Sequence, residues 1–367
     1  MAFVTSSGRR LAPASILGKG AEGTIYNVQG DGAIAVKIYT DGNGLGRLPK
    51  LSAMIADRLH QRTPFVAFPI ETVTANGNFA GFTMRKVASS RPLFQLCITS
   101  DRKSEFPDAN FRFMVHVALN LAKAVASLNT LGAVVGDLNE SGALVSQKQG
   151  IVTLVDSDSI QYSSGGRIYR CTKGKAEYTP PELQGRPFNA VDRMINHDAF
   201  GLAVLLFEIL FLGRHPFSGV PRTSNHPTIA EAIQSGRFAY SPHKTRTLMD
   251  PPQHMPVLTD IPADVAMAFQ RAFGPHSGNA TTARPPLRNG FPYFKGWKRI
   301  SSSASSTQRT IILAPPRRVP GAVSKPATAR SYLLATSPSR AAPLIWSTSF
   351  LGLMESPAQA RLLTWPQ

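Results

Sequence analysis

Three glycines, Gly18, Gly20 and Gly23, lie at the spacing G-x-G-x-x-G, and a lysine follows in Ala35-Val36-Lys37-Ile38-Tyr39. Two aspartates come later, Asp137 in Gly136-Asp137-Leu138-Asn139-Glu140-Ser141-Gly142 and Asp156 in Val155-Asp156-Ser157-Asp158. Glycines without side chains let backbone N–H groups approach phosphate oxygens closely. A lysine buried on a strand needs an anionic partner, and the α and β phosphates of a triphosphate are one such partner. Two carboxylates about twenty residues apart, each closing a short β element, can face one nucleotide. One would orient or deprotonate a hydroxyl, and the other would hold Mg²⁺. The glycines and the lysine also have plainer readings, an ordinary turn and a surface lysine on an exposed strand face, and any one of these motifs alone could be chance. The ordered set is what is specific.

The elements around these residues constrain how they can meet. Ile16-Leu17 leads into the glycines, and the alternating Thr24-Ile25-Tyr26-Asn27-Val28 follows them, so the loop joins two strands. A dinucleotide-binding loop would instead open a helix. The run from Ala33 to Tyr39 reads as a third strand, and Gly77-Asn78 separates two more as a hairpin. Between them, Leu48, Leu51, Ile55 and Leu59 have helical spacing. Beyond residue 90 the pattern turns helical, first over Phe111 to Leu131 and later near 198–212, 228–234 and 262–273. Two short β runs, Ala143-Leu144-Val145 and Ile151 to Val155, sit between the aspartates' loops. Strands first and helices later predict an α+β fold in two lobes.

The chain has 367 residues, 43% hydrophobic and 17% charged, which suits a globular protein with a sizeable core. Cys97 and Cys171, its two cysteines, lie far apart, fit no metal or disulfide spacing and point to a reducing cytoplasm. The first residues lack the apolar run of a signal peptide, and the apolar stretch from Ala199 to Leu212 is too short to span a bilayer, so no membrane association is expected. The net charge of +18 is unevenly spread: from Ala283 onward twelve Lys or Arg face one acid, Glu355. The body is only mildly basic, which argues against nucleic acid as a partner.

Tyr178-Thr179-Pro180-Pro181-Glu182 and His197-Asp198-Ala199-Phe200-Gly201 complete the ordered set. Over about residues 11–290 the chain resembles the eukaryotic-type protein kinase superfamily, most of all a bacterial kinase-like branch. Members of that branch are often encoded near a metal-dependent protein phosphatase and a von Willebrand A-domain protein, which the resemblance suggests as partners beside the protein substrate. Some carry a C-terminal helix-hairpin-helix DNA-binding module, and none is evident here. The resemblance implies a bilobal α+β kinase-like fold, with a β-rich N-lobe over 1–88, a helical C-lobe over 89–290 and a basic tail over 291–367. It implies ATP and Mg²⁺ (or Mn²⁺), and transfer of the γ-phosphate to Ser/Thr hydroxyls of a protein.

Carried over by position, Gly18, Gly20 and Gly23 would cover the phosphates and Lys37 would bind them. Ile25, Ala35 and Leu144 would sandwich the adenine, with Met84, Lys86 and Val87 at the hinge. Asp137 would be the catalytic aspartate, with Asn139 two residues on, and Asp156 the metal ligand. Glu182 would pair with Arg284, and Asp198 would hold the catalytic loop. Segment 159–179 would be the activation loop, with Ser163, Ser164, Thr172 and Tyr178 as possible phosphosites in what otherwise reads as a mobile stretch.

Three departures stand out. Gly142 occupies the position of the second metal ligand, an Asn in the family. The helix near 48–59 has no Glu to pair with Lys37; its one acid is Asp57, and Pro49 interrupts its start. Val135-Gly136 replaces the His-Arg that usually precedes the catalytic aspartate, and Asn139 replaces a Lys. Two function classes follow: a Ser/Thr kinase, weakened or not, and a pseudokinase whose output is conformational. A DNA-associated regulator is a third reading that rests on the tail. Residues 300–367 are rich in Ser, Ala, Pro and Arg without periodicity and read as a disordered basic segment. Back-translated from Pro286 to Lys298, an adjacent reading frame permits an amphipathic helix led by Glu-Trp, so a frameshift near codon 286 is also expected.

Overall fold

The computed structural model describes residues 3–42, 44–274 and Arg284. Expectations for the tail, including its disorder and its reading frame, lie outside the described residues. Strands β1 (Phe3–Thr5), β2 (Arg10–Leu11), β3 (Pro13–Lys19), β4 (Gly23–Val28), β5 (Asp31–Tyr39), β6 (Pro69–Ala75) and β7 (Asn78–Arg85) form one sheet in the order β2-β1-β6-β7-β5-β4-β3. Every pairing in it is antiparallel. The glycine-rich loop joins β3 and β4 as a hairpin, as its flanking strands predict. The β6–β7 turn is Asn76-Gly77, one residue earlier than expected. Their φ values of 50° and 81° match the positive-φ pair of a two-residue hairpin turn.

Helix α1 spans Gly44–Ala56 and packs on β6 and β7. It starts four residues before the expected Leu48, with Pro49 inside it. The proline forfeits one helical hydrogen bond, and the buried Leu51 and Met54 anchor the helix regardless. Arg58, at φ 52°, breaks it, so Leu59 begins a separate one-turn helix, α2 (Leu59–Arg62).

Past β8 (Ser90–Pro92) and the short α3 (Leu93–Cys97) and α4 (Thr99–Glu105), the long α5 (Phe111–Asn129) packs against α6 (Ile195–Leu210). Asn110 caps α5, its side chain accepting from the Phe113 N–H. By length and composition α5 could cross a membrane, but twelve of its nineteen residues lie in the core. Helix α6 is buried on nearly all sides, as its all-round apolar sequence requires. Phe207 stacks on Phe211 at 3.9 Å and meets Tyr240, Phe238, Phe269 and Phe273 edge-on. Between the two helices the chain forms β9 (Ala143–Ser146) and β10 (Val152–Leu154), which join the earlier β8 in a small sheet of order β10-β9-β8. Asp137 lies in the loop before β9, and Asp156 lies just after β10. The result is a mixed α/β structure whose curled antiparallel sheet fits a kinase-like fold.

Candidate active site

Lys37 is on β5 opposite Ile25 of β4 and Phe82 of β7, in the middle of the large sheet. Its side chain is 6% exposed. Gly81 lets β7 run past it, since a Cβ there would come 1.9 Å from the Lys37 carbonyl oxygen. The Lys37 ammonium donates to both oxygens of Asp158 at 2.9 Å and reaches Asp156 at 3.5 Å and Glu22 at 3.9 Å. Burial works against the lysine's charge, but the carboxylates of Asp158 and Asp156 outweigh it and hold its pKa above the usual value. Asp158 is the mirror case. Its side chain is 1% exposed and burial opposes its charge, yet Lys37 and the Tyr39 hydroxyl, donating at 2.7 Å, hold it below the usual carboxylate range.

The carboxylate paired with Lys37 thus comes from the turn after β10 and not from α1. Asp57, the acid weighed for that place, lies just past the end of α1 and accepts from the hydroxyls of Tyr162 at 2.6 Å and Ser164 at 2.8 Å. What α1 contributes is Lys50, whose ammonium donates to the carbonyls of Asp158 at 3.0 Å, Ile160 at 2.7 Å and Arg170 at 3.3 Å.

In the glycine-rich loop the Gly20 N–H donates to the Gly23 carbonyl at 2.9 Å, closing a tight turn. The three glycines serve different ends. A Cβ on Gly23 would strike the Ile38 carbonyl oxygen at 2.4 Å, so packing demands that glycine. A Cβ on Gly18 would meet nothing within 4 Å, and one on Gly20 only the Gly23 oxygen at 3.9 Å. The fold leaves those two positions free, so their lack of side chains is open to a ligand. Glu22, at the loop tip, is paired with Arg47 at 2.7 Å and with Lys173. Burial opposes its charge, and these cations outweigh it, keeping its carboxyl below the usual value.

Asp137 is held by its own loop. Asn139 donates from Nδ2 to the Asp137 carbonyl at 3.0 Å and to its Oδ1 at 2.9 Å, and its own Oδ1 accepts from the Ser141 N–H. Asp198, on α6, accepts from the N–H groups of Val135 at 2.8 Å and Gly136 at 2.9 Å and from Asn129 at 3.0 Å. Burial pushes this carboxyl up to about 6 against those three donors. Arg193 also holds this loop: it donates to the Gly136 carbonyl at 2.5 Å and the Lys173 carbonyl at 2.8 Å, and its guanidinium lies 4.0 Å from the Phe188 ring centroid.

Asp156 has a left-handed backbone, φ 54°, and a side chain 53% exposed. Its oxygens suit a hard cation, whereas Gly142 offers no side-chain oxygen, and the described residues hold no cluster of three or more His, Cys, Asp or Glu able to bind a metal. A single exposed carboxylate of this kind fits an Mg²⁺ that would take most of its ligands from outside the protein.

Ala35 pairs with Met84 across β5 and β7 and packs with Ile25, Val87 and Val155 in one cluster. Lys86, beyond the end of β7, donates its N–H to the Ala33 carbonyl at 2.8 Å. Leu144, half-buried on β9, is not among that cluster's described members. Glu182 and Arg284 meet as expected, Arg284 donating to both carboxylate oxygens at 2.5 and 2.6 Å with its side chain fully buried. Segment 159–179 contains a hairpin of β11 (Tyr162–Ser164) and β12 (Arg167–Tyr169). Tyr178, offered as a possible phosphosite, instead directs its hydroxyl to the buried Glu208 at 3.1 and 3.3 Å.

Sequence reading missed Asp158, Tyr39, Glu22, Lys50 and Arg193. The one signal available was a third residue of Asp156-Ser157-Asp158 that is acidic in a chain whose lysine lacked a partner.

No protein-family model matches the chain. Over 289 residues, 77% of its length, it is 38% identical to protein kinase YegI of Escherichia coli O157:H7. Over 315 residues, 84% of its length, it is 37% identical to protein kinase YegI of Escherichia coli strain K12. It spans a little under half of these curated relatives, 44% and 47%. The matches support a bacterial protein kinase-like family for this chain, through the part of each relative that it covers.

Proposed function

We propose that this chain is an ATP- and Mg²⁺-dependent protein kinase domain that transfers the γ-phosphate to Ser/Thr hydroxyls of a protein substrate. In this reading the large sheet with α1 is the N-lobe, ending near residue 88, and the mostly helical part of the described residues after it belongs to the C-lobe. The observation that carries it is the convergence on Lys37: a buried ammonium behind a glycine hairpin whose Gly18 and Gly20 no packing requires, within 3.5 Å of Asp156. A fold that needed only stability would rarely bury a lysine among three acids beside an open loop.

Each group then has a task. The glycine hairpin, open where Gly18 and Gly20 carry no side chain and held tight by Gly23, covers the phosphates, and Lys37 adds a fixed positive charge. Ile25, Ala35, Met84, Val87 and, from β9, Leu144 enclose the base, with the backbone at Lys86 beside it. Asp156 would hold the Mg²⁺, which when bound offsets the charge on the phosphates. Asp137 accepts a hydrogen bond from the incoming hydroxyl and orients it, and Asn139 fixes its carboxylate. The partners implied by the resemblance, a metal-dependent phosphatase and a von Willebrand A-domain protein, belong to this proposal.

One observation favours a second reading, a pseudokinase that binds nucleotide without turnover: Gly142 offers no side-chain oxygen, and the described residues hold no cluster of three or more His, Cys, Asp or Glu that could bind a metal. Phosphate transfer from labelled ATP with Mg²⁺ or Mn²⁺ separates the two. Activity in the wild type that disappears in Asp137→Asn supports the kinase. Silence in the wild type with activity in Gly142→Asn supports a disabled kinase, and silence in all three proteins, with nucleotide bound, supports the pseudokinase.

A further inference from the structure

We infer that Asp158 is the positioning residue for Lys37, doing from the turn after β10 what a carboxylate on α1 does not do here; the inference rests on the proposed nucleotide-binding role of Lys37. Of the acids near the ammonium, Asp158 alone has both oxygens at 2.9 Å and a side chain withdrawn from solvent. Asp156 is 53% exposed and more distant, and Glu22 is taken up by Arg47 and Lys173. Two equal hydrogen bonds from one ammonium to one carboxylate fix the ammonium along the carboxylate's bisector, which a single contact does not.

Asp158 is itself fixed from two sides. The Tyr39 hydroxyl, two residues from Lys37 on the same strand, donates to Oδ2, and Lys50 of α1 donates to the Asp158 carbonyl. The wiring therefore runs from α1 through Lys50 to the turn, and from the turn through Asp158 to the sheet. Helix α1 acts on the site by holding the Asp158 backbone rather than by reaching Lys37. Without Asp158 the ammonium's next partner is Asp156, the proposed metal ligand. Lys37 would then be drawn from the phosphates toward the cation's site.

A double-mutant cycle on the full chain tests this, with affinity for Mg²⁺·ATP measured by isothermal titration. Asp158→Asn preserves shape and removes the charge. It is expected to weaken binding about tenfold, the scale of a charge-assisted hydrogen bond. Lys37→Met is expected to weaken binding by a similar factor, and the double variant no further than Lys37→Met alone, because Asp158 acts through Lys37. Asp158→Glu, which keeps the charge, is expected to recover part of the loss. Unchanged or tighter binding in Asp158→Asn overturns the inference, as do losses that multiply in the double variant. If Asp158→Asn fails to fold, Lys50→Met supplies the perturbation: its loss of affinity must likewise vanish in the Lys37→Met background. A folded wild type that binds no nucleotide overturns the nucleotide-binding reading and this inference with it. A wild type that binds, with multiplying losses, overturns the inference alone.

Discussion

Gly136 immediately precedes Asp137, and its replacement by alanine is the most direct test of how that loop is held. Its φ is 73°, and a Cβ would lie 2.7 Å from the Cys171 Cβ and 2.9 Å from the Cys171 Sγ. Left-handed backbone costs an alanine ~1–2 kcal/mol relative to glycine. Forcing a carbon into a packed site costs a further ~1–3 kcal/mol. Together Gly136→Ala should remove about 2–5 kcal/mol, a large share of the ~5–15 kcal/mol that keeps a domain folded. At ~2–4 °C per kcal/mol for a domain of this class, the melting temperature should fall by roughly 4–20 °C. The two contributions are separable. Cys171→Gly removes both clashing atoms, so Gly136→Ala in that background should cost only the backbone share, about half as much. Thermal unfolding of the four proteins by far-ultraviolet circular dichroism reads both effects. Gly136→Ala melting within about 1 °C of wild type would refute the strain argument. An equal loss in both backgrounds would refute the assignment to Cys171.

Other expectations concern the buried charges. Burial pushes the Glu208 carboxyl up to about 8 despite the Tyr178 hydroxyl, so its folded value lies above the unfolded value of 4.5. Its contribution to stability is then fully present below 4.5 and is lost as pH rises toward 8. Glu208→Gln should melt above wild type at about pH 8.5 and show no such gain near pH 4.5, in melts across that range. Arg284→Met leaves Glu182 without its bidentate partner and should cost ~3–5 kcal/mol in urea titrations, whereas Arg284→Met with Glu182→Gln should cost less. Burial opposes the Glu182 charge but Arg284 outweighs it, holding its carboxyl low. The pair therefore stabilises above the carboxylate range and fails as pH falls through it, and Arg284→Met should flatten the acid limb of the stability profile.

Much of this architecture is legible in the sequence because its causes are local. The hairpin over the glycine loop follows from alternation on both sides of Gly18 to Gly23, and α5 from apolar residues at 3–4 spacing along one face of a helix. Asp198 was expected to hold the loop before Asp137 and does so through three donors, and Glu182 was expected to meet Arg284 and does. Helix α1 was misjudged at both ends because its limits are not set by propensity. Leu51 and Met54 keep it together through Pro49, and the left-handed Arg58 ends it.

What the sequence by itself determined is the order and spacing of the chemistry-bearing groups, since glycines in a hairpin and acids at strand ends are features of short stretches of chain. The tertiary structure decided which charge answers which. Lys37 and Asp158 are 121 residues apart, and beyond the acidic third residue of Asp156-Ser157-Asp158 their neighbourhoods do not announce the pair. It exists because β5 and the turn after β10 are packed together out of water, where an ammonium takes the nearest equally buried carboxylate. The same holds for Lys50 on its three carbonyls and for Arg193 on Gly136. Coulomb energy depends on distance and on solvent exclusion, and only the folded chain sets both.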